Sequence, residues 1–469
     1  MPLGAKKMDH LAPNNTLSEG SDHGMADLRT SQPDPYAGHL AKANDDGGVI
    51  STEDIFDGRG QLLIRRHSAI DARCAQRLLQ HRLQRPLEDQ VQVKNVLTNA
   101  DFLVEYSHFL QSHRDIFSAQ RHLRFTRELE QLIGGMRLPS VVAQKMTVMK
   151  LCLPEQFQKA LFSSWLAALI AREMSLDKED IYAAFIAGLI HDIGFLHISS
   201  EILNKKGEAS VSDWRAIQSH VVIGQMVLKG YPELPDSVAR SVLEHHERCD
   251  GTGYPAARDE NNLSIIGQIV AMSDALQALR MGVFAKTGRN LRDVLPFLRL
   301  NSNTHFYGIY RVTVDIIRKS GLEPTPVAHP QGNSQYVPLL VRRIDYLKQA
   351  VNSMKQIAKV LGEIEGGPKG RVSIRTFDQV LNGIITSGMA RDELLGWIEL
   401  IDDNIDDSVL LEINEIELMQ NELIWQIGSA QRTFSAFLER ECNVDSQMQA
   451  TLRMHNDQLR ESLEKLRQR

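Results

Sequence analysis

The stretch IYAAFIAGLIHDIG, residues 181–194, decides the fold. Its apolar run, like the one around 161–171, is too short for a bilayer, which needs about 20 residues. It reads as a buried helix that ends on His191 and Asp192. An ionised carboxylate at the end of a buried helix needs a compensating charge, and a cation supplies one. Taken alone, the His-Asp pair is better read as a capping aspartate beside a packed histidine. Ile193-Gly194 lets the chain turn away tightly.

Further along the chain, HHERCDGTGYP at 245–255 adds two histidines and a glycine-rich loop. Adjacent histidines point about 100° apart on a helix, so one ion takes both only where the helix unwinds. His220 lies mid-helix in Trp214–Leu228, where a lone histidine is commonly structural. Asp274 is an acid on the otherwise apolar face of IIGQIVAMSDALQAL, residues 265–279. Together they make four imidazoles and two carboxylates, the ligand set of a hard or borderline divalent metal.

The chain has 469 residues, 42% hydrophobic and 24% charged, which is globular composition with room for several domains. A net charge of −6 gives no global basic field, so duplex nucleic acid is not an expected partner. The 4 cysteines (Cys74, Cys152, Cys249, Cys442) are far apart and suggest neither a zinc ribbon nor a disulfide framework. MPLGAKKMDHLAPNN has no apolar core of a secretory signal, and no span of membrane length follows. A cytoplasmic location is expected.

The expected fold class is mainly α: an all-helical core with a small N-terminal α/β module and a C-terminal helical region. Residues 1–46, rich in Asp, Ser, Pro and Gly, read as a flexible tail carrying His10 and His23. Residues 47–95 read as the α/β module, with two β-like runs about the turn Asp57-Gly58-Arg59-Gly60. A helix with Ala72, Ala75, Leu78 and Leu79 on one stripe follows. Residues 100–330 form the main domain, with helices over 118–135, 154–174, 178–191, 212–229, 235–246 and 264–280. Ser210 with Asp213 resembles a capping box, and Asp236 a helix cap. Residues 331–335 read as a polar break, and 336–469 is helical with a glycine-rich interruption at 366–370. A long helix spans about 407–440. This region is read as a bundle packing on itself, with a dimer or partner interface as the alternative.

In order and spacing, residues from about 150 to 320 resemble the HD-GYP domain, a bacterial branch of the metal-dependent HD phosphohydrolases that hydrolyses cyclic di-GMP. The match lies in HDIG at His191–Gly194, in His220, in HHExxDGxGYP at His245–Pro255 and in Asp274. The resemblance implies that Asp192 bridges two metals, iron or manganese. His220, His245 and His246 complete one site, and His191 and Asp274 the other. A metal-bound hydroxide then attacks a phosphorus of cyclic di-GMP or a related nucleotide. It also implies that the loop of Asp250, Gly251, Gly253, Tyr254 and Pro255 approaches substrate or a diguanylate cyclase domain.

The pattern departs from the family at several positions. Lys159 stands where the family has a metal-binding histidine, and Glu155 matches a glutamate used by some members for a third metal. Lys159 reads as a solvent-facing lysine at a lost site, with the alternative that it takes the charge position of a missing ion and pairs with Asp274 or Glu155. Phe195 replaces a lysine that contacts substrate phosphate, a charge-assisted contact of about 1.5–3 kcal/mol. Gln277 replaces an aspartate, and Val283 and Ala285 replace an arginine and a tyrosine, with Arg280 or Lys286 as candidate substitutes. One or two ions are thus expected. Two readings stay open: an HD-GYP phosphodiesterase, and a catalytically impaired member that binds nucleotide or partner as a signalling scaffold.

Overall fold

The computed structural model describes residues 33–44, 48–205, 210–302, 304–327, 333–362, 368–401, 406–440 and 446–467. These are mainly helical, with four short strands among them. They divide into two compact units: one takes the described residues up to 247 together with 263–282, the other takes 248–262 and 283 onward. The segment 100–330 therefore contributes to both.

In the first unit, strands Ile55–Phe56 and Leu62–Ile64 form the hairpin expected about Asp57–Gly60. Asp57 Oδ1 accepts from the amides of Arg59 (2.9 Å) and Gln61 (2.8 Å), and Gly60 takes φ +83°, the left-handed conformation that suits glycine. Val49–Ser51 pairs antiparallel with Val91–Val93, Val49 opposite Val93, closing the module on itself. The helix Ala72–Leu78 buries Ala75 and Leu78, while Ala72 and Leu79 are exposed, so half the expected stripe is core. The expected tail needs correction. Tyr36–Ala43 is a helix with Tyr36, Ala37, His39 and Leu40 buried, its start held by Asp34 Oδ1 on the Tyr36 amide (2.9 Å). Two large apolar residues at i and i+4 suffice for one buried face, and the surrounding polar composition concealed them. Residues 1–32, with His10 and His23, lie outside the described residues.

The helices Pro154–Glu173 and Lys178–Ile190 pack on each other at the centre of this unit. A Cβ on Gly188 would lie 2.8 Å from Ser164 Cα, so the glycine is what lets the two backbones meet. Every residue from Ala183 to Ile190 is buried, as the uninterrupted apolar run requires. The expected helix 118–135 is two, Arg114–His122 and Thr126–Gly134, broken where Arg124 takes φ +54°. The expected helix 212–229 also divides, into Val211–Gln218 and His220–Leu228, so His220 opens a helix and is not in the middle of one. The capping box of Ser210 and Asp213 is present. Asp236 is not the cap of its helix: Pro235 holds that position, without a side-chain bond.

The second unit is a helical bundle. Its long helices are Asn333–Gly362, Pro368–Ser387, Asp407–Arg440 and Ser446–Arg467. They enclose their own core, including Leu340, Leu347, Phe377, Ile413, Leu423, Ile427, Phe434, Leu452 and Leu459. This is the self-packing bundle expected. Of the expected polar break, residues 331 and 332 lie outside the described residues and a helix begins at Asn333; of the glycine-rich interruption, 366 and 367 lie outside and Pro368 begins the next helix.

Candidate metal centre

Helix ends place the ligands. His191 follows the last residue of Lys178–Ile190, His245 follows Asp236–Glu244, and His220 begins His220–Leu228. At each, Nδ1 lies against the carbonyl three residues back: His191 on Gly188 (2.9 Å), His220 on Ile217 (2.6 Å), His245 on Val242 (2.7 Å). A carbonyl only accepts, so Nδ1 carries a hydrogen, and in the neutral ring Nε2 is left with its lone pair. All three Nε2 atoms converge. Those of His220 and His245 are 3.3 Å apart. Asp192 Oδ2 lies 3.4 Å from His191 Nε2, and its Oδ1 lies 3.4 Å from His220 Nε2 and 3.8 Å from His245 Nε2. Asp274 completes the cluster, Oδ1 3.5 Å from His191 Nε2 and Oδ2 3.9 Å from His246 Nδ1.

Two close approaches make this convergence possible. A Cβ on Gly194 would fall 2.0 Å from the carbonyl oxygen of His220. The glycine therefore serves to bring the Ile193–His197 turn onto the His220 helix; φ is not in the left-handed region, so tight turning is not its role. The second is a clamp that the sequence did not reveal. Glu244, fully buried, accepts from the Ser264 amide (2.8 Å) and hydroxyl (2.6 Å) with Oε2, and from Arg240 Nε (2.8 Å) with Oε1. It ties the end of the His245 helix to the start of Ile265–Gln277, which carries Asp274.

Electrostatics follow from burial and proximity. His191, His220, His245, His246 and Asp192 are buried, and Asp274 is half-buried. Burial opposes charge on His191, but Asp192 and Asp274 outweigh it and hold its pKa well above the ordinary histidine value. Burial likewise opposes ionisation of Asp192, and the surrounding imidazoles reverse this and hold it below the usual carboxylate range. Burial lowers His220, and burial with the neighbouring His191 and His220 pushes His245 down to about 3. The result is an ionised Asp192 beside neutral His220 and His245, with His191 drawn toward its charged form by the two carboxylates; a ligating imidazole is neutral, so a bound cation would take the place of that proton.

The donors fit a metal ion. His220, His245 and His246 offer atoms within 4.8 Å of one another, and so do His191, Asp192 and His245. His191 Nε2 and Asp192 Oδ1 are buried without a hydrogen-bond partner. Two atoms each about 2.1 Å from one ion, at tetrahedral to octahedral angles, stand roughly 3.0–3.4 Å apart. That is the spacing of several pairs here, and it is too long for good hydrogen bonds.

The departures resolve differently. Glu155 is exposed and Lys159 half-buried, and among the described residues Lys159 forms no ion pair, so the alternative pairing with Asp274 or Glu155 is not formed. Both lie in the first turns of Pro154–Glu173, outside the groups just described. Phe195 is buried and stacks on His220, ring centroids 4.2 Å apart and planes 11° apart. Gln277 is buried. Arg280 is committed to Asp115 by two bonds of 2.6 Å, which corrects its expected availability as a substitute. Asp250, Gly251, Gly253, Tyr254 and Pro255 belong to the second unit, where Gly251, Gly253 and Tyr254 are buried.

Residues 132–308 match the family model described as HD domain. The chain is 29% identical over 204 residues to 3′3′-cGAMP-specific phosphodiesterase 1 of Vibrio cholerae, 42% of this chain and 45% of that one. It is 37% identical over 112 residues to 3′3′-cGAMP-specific phosphodiesterase 3 of the same organism, 24% of each. It is 30% identical over 126 residues to cyclic di-GMP phosphodiesterase PA4108 of Pseudomonas aeruginosa, 27% of this chain and 30% of that one. The chain thus spans less than half the length of these curated relatives. The matched segment is similar to an HD domain, and the relatives it resembles are named as cyclic dinucleotide phosphodiesterases. Among the described residues no helix is long and apolar enough to cross a membrane.

Proposed function

We propose that this chain hydrolyses a phosphodiester bond of a cyclic dinucleotide at a divalent-metal centre held by His191, Asp192, His220, His245, His246 and Asp274. The observation that carries it is the convergence of three Nε2 lone pairs on Asp192, each tautomer set by a backbone carbonyl. Asp192 presents one oxygen to His191 and the other to His220 and His245, so both of its oxygens would be available to hold metal. A bound divalent ion of the iron or manganese type lowers the pKa of coordinated water and withdraws charge from phosphoryl oxygens. The protein's part is orientation. The carbonyls fix the rings, Glu244 holds the two helices that bring His245 and Asp274 together, and Phe195 keeps one face of His220 dry.

Cyclic di-GMP is the substrate implied by the resemblance, and 3′3′-cGAMP competes with it because two relatives are named for that compound. Elemental analysis after anaerobic purification, with turnover of both dinucleotides on the same sample, tests the proposal. Metal and turnover in the wild type, both lost in a folded Asp192→Ala variant, support it. A second reading, a metal-binding scaffold without catalysis, is favoured by one observation: Phe195 puts a ring on His220 where a phosphate-binding ammonium is expected. Bound metal without turnover of either dinucleotide selects that reading.

A further inference from the structure

The signature loop is built into the bundle. The change of unit falls between Glu247 and Arg248. On one side the Glu247 carbonyl accepts from Gln268 Nε2 (3.3 Å) within the first unit; on the other the Cys249 amide donates to the Thr304 carbonyl (3.1 Å) within the second. Beyond that point the loop meets the helix Pro368–Ser387. The Gln379 amide donates to Asp250 Oδ2 (2.7 Å) and accepts from Arg248 Nη2 (3.1 Å). Asp250 Oδ1 in turn accepts from the Thr252 amide (2.9 Å) and hydroxyl (2.6 Å), so one carboxylate both shapes the loop and takes the helix. One turn earlier on that helix, Arg375 comes so near the loop that a Cβ on Gly251, at φ +71°, would lie 2.9 Å from its Nη1. Residues at i and i+4 share a helix face, so Arg375 and Gln379 form a two-pronged clasp.

We propose that the C-terminal bundle is a regulator in the same chain, acting by clasping the signature loop through Arg375 and Gln379. The loop surface reserved by expectation for substrate or an outside partner has a resident occupant. Releasing the clasp frees the loop, and the effect passes along the chain to His245 and His246, which lie immediately before it.

Hydrogen exchange on the full chain, read by mass spectrometry, tests it. In Gln379→Ala, amides of 249–254 are expected to exchange roughly tenfold faster, the effect of losing a charge-assisted bond. Those of 245–247 are expected to follow. If exchange rises throughout Asp407–Arg440, the bundle itself has loosened, and Asp250→Asn, made on the loop side, decides by the same two readings. Unchanged loop exchange in both variants overturns the clasp. Faster loop exchange with 245–247 as in wild type overturns its link to the histidine pair.

Discussion

Gly194→Ala puts the geometry of the centre under the most direct strain. The added Cβ would sit 2.0 Å from the His220 carbonyl oxygen, whereas real Cβ atoms essentially never approach within 3.0 Å. The obstacle is backbone, which cannot rotate away, so the turn behind Asp192 and the His220 helix must part by about 1 Å. Asp192 Oδ1 and His220 Nε2 start 3.4 Å apart. Two atoms each about 2.1 Å from one ion cannot share it beyond roughly 4.2 Å, and a parting of this size takes the pair to that limit. Metal affinity is expected to fall at least tenfold, and stability by about 1–3 kcal/mol from overpacking. Gly134→Ala, whose Cβ would meet nothing within 4 Å, is the control. Competition with a chelator gives the affinities, and urea unfolding the stabilities. A Gly194→Ala protein that binds metal within twofold of wild type refutes the argument that this close approach sets the spacing.

Phe195→Ala removes a buried ring stacked on His220 and is expected to cost about 3–5 kcal/mol in urea unfolding; a loss under 1 kcal/mol would mean the ring is not a packing element. Lys145 is fully buried, its Nζ 2.7 Å from His197 Nε2, 3.8 Å from Glu88 Oε1 and 3.8 Å from the centre of the Tyr36 ring. Lys145→Met strands the buried Glu88 and is expected to destabilise the first unit by about 3–5 kcal/mol, and Glu88→Gln in the same chain should recover part of it. His39 is buried, and burial holds its pKa below the ordinary 6.5 despite the nearby Ile198 carbonyl. The unfolded chain therefore binds the extra proton first as pH falls. Stability from this group is complete above about pH 6.5 and declines below it, by at most about 1.4 kcal/mol per pH unit. Melting curves between pH 7.5 and 5 should show a shallower loss in His39→Phe, and an unaltered slope would contradict a buried neutral histidine.

Much of this was legible in the chain. The apolar run before His191 announced a central buried helix because uninterrupted apolar residues have no solvent face to spare. Histidine and aspartate at helix ends were visible as misplaced polarity. What was hidden depends on contacts distant in sequence. Glu244 looks like an ordinary helix acid until Ser264 is brought to it. Lys145, in a helix of mixed polarity, gave no sign that His197 and Glu88 would surround it. The split at Ser219 was missed because helical periodicity continues across it. Tyr36–Ala43 was missed because composition averages over a window wider than one short helix. The burial of Gly251 and Tyr254 was missed because a glycine-rich loop looks the same in sequence whether it faces solvent or a neighbouring helix.

The carbonyl-bonded histidines have a thermodynamic corollary. With hydrogen fixed on Nδ1, the Nε2 atoms of His220 and His245 point lone pairs at each other across 3.3 Å. The folded state holds a small knot of mutual repulsion that the unfolded chain does not have. A divalent cation turns that repulsion into shared attraction and binds only the folded form. It should therefore raise the melting temperature with concentration, by about 1.4 kcal/mol of stability for each tenfold excess over its dissociation constant. The melting temperature then doubles as a gauge of which ion the protein prefers, before any substrate is known.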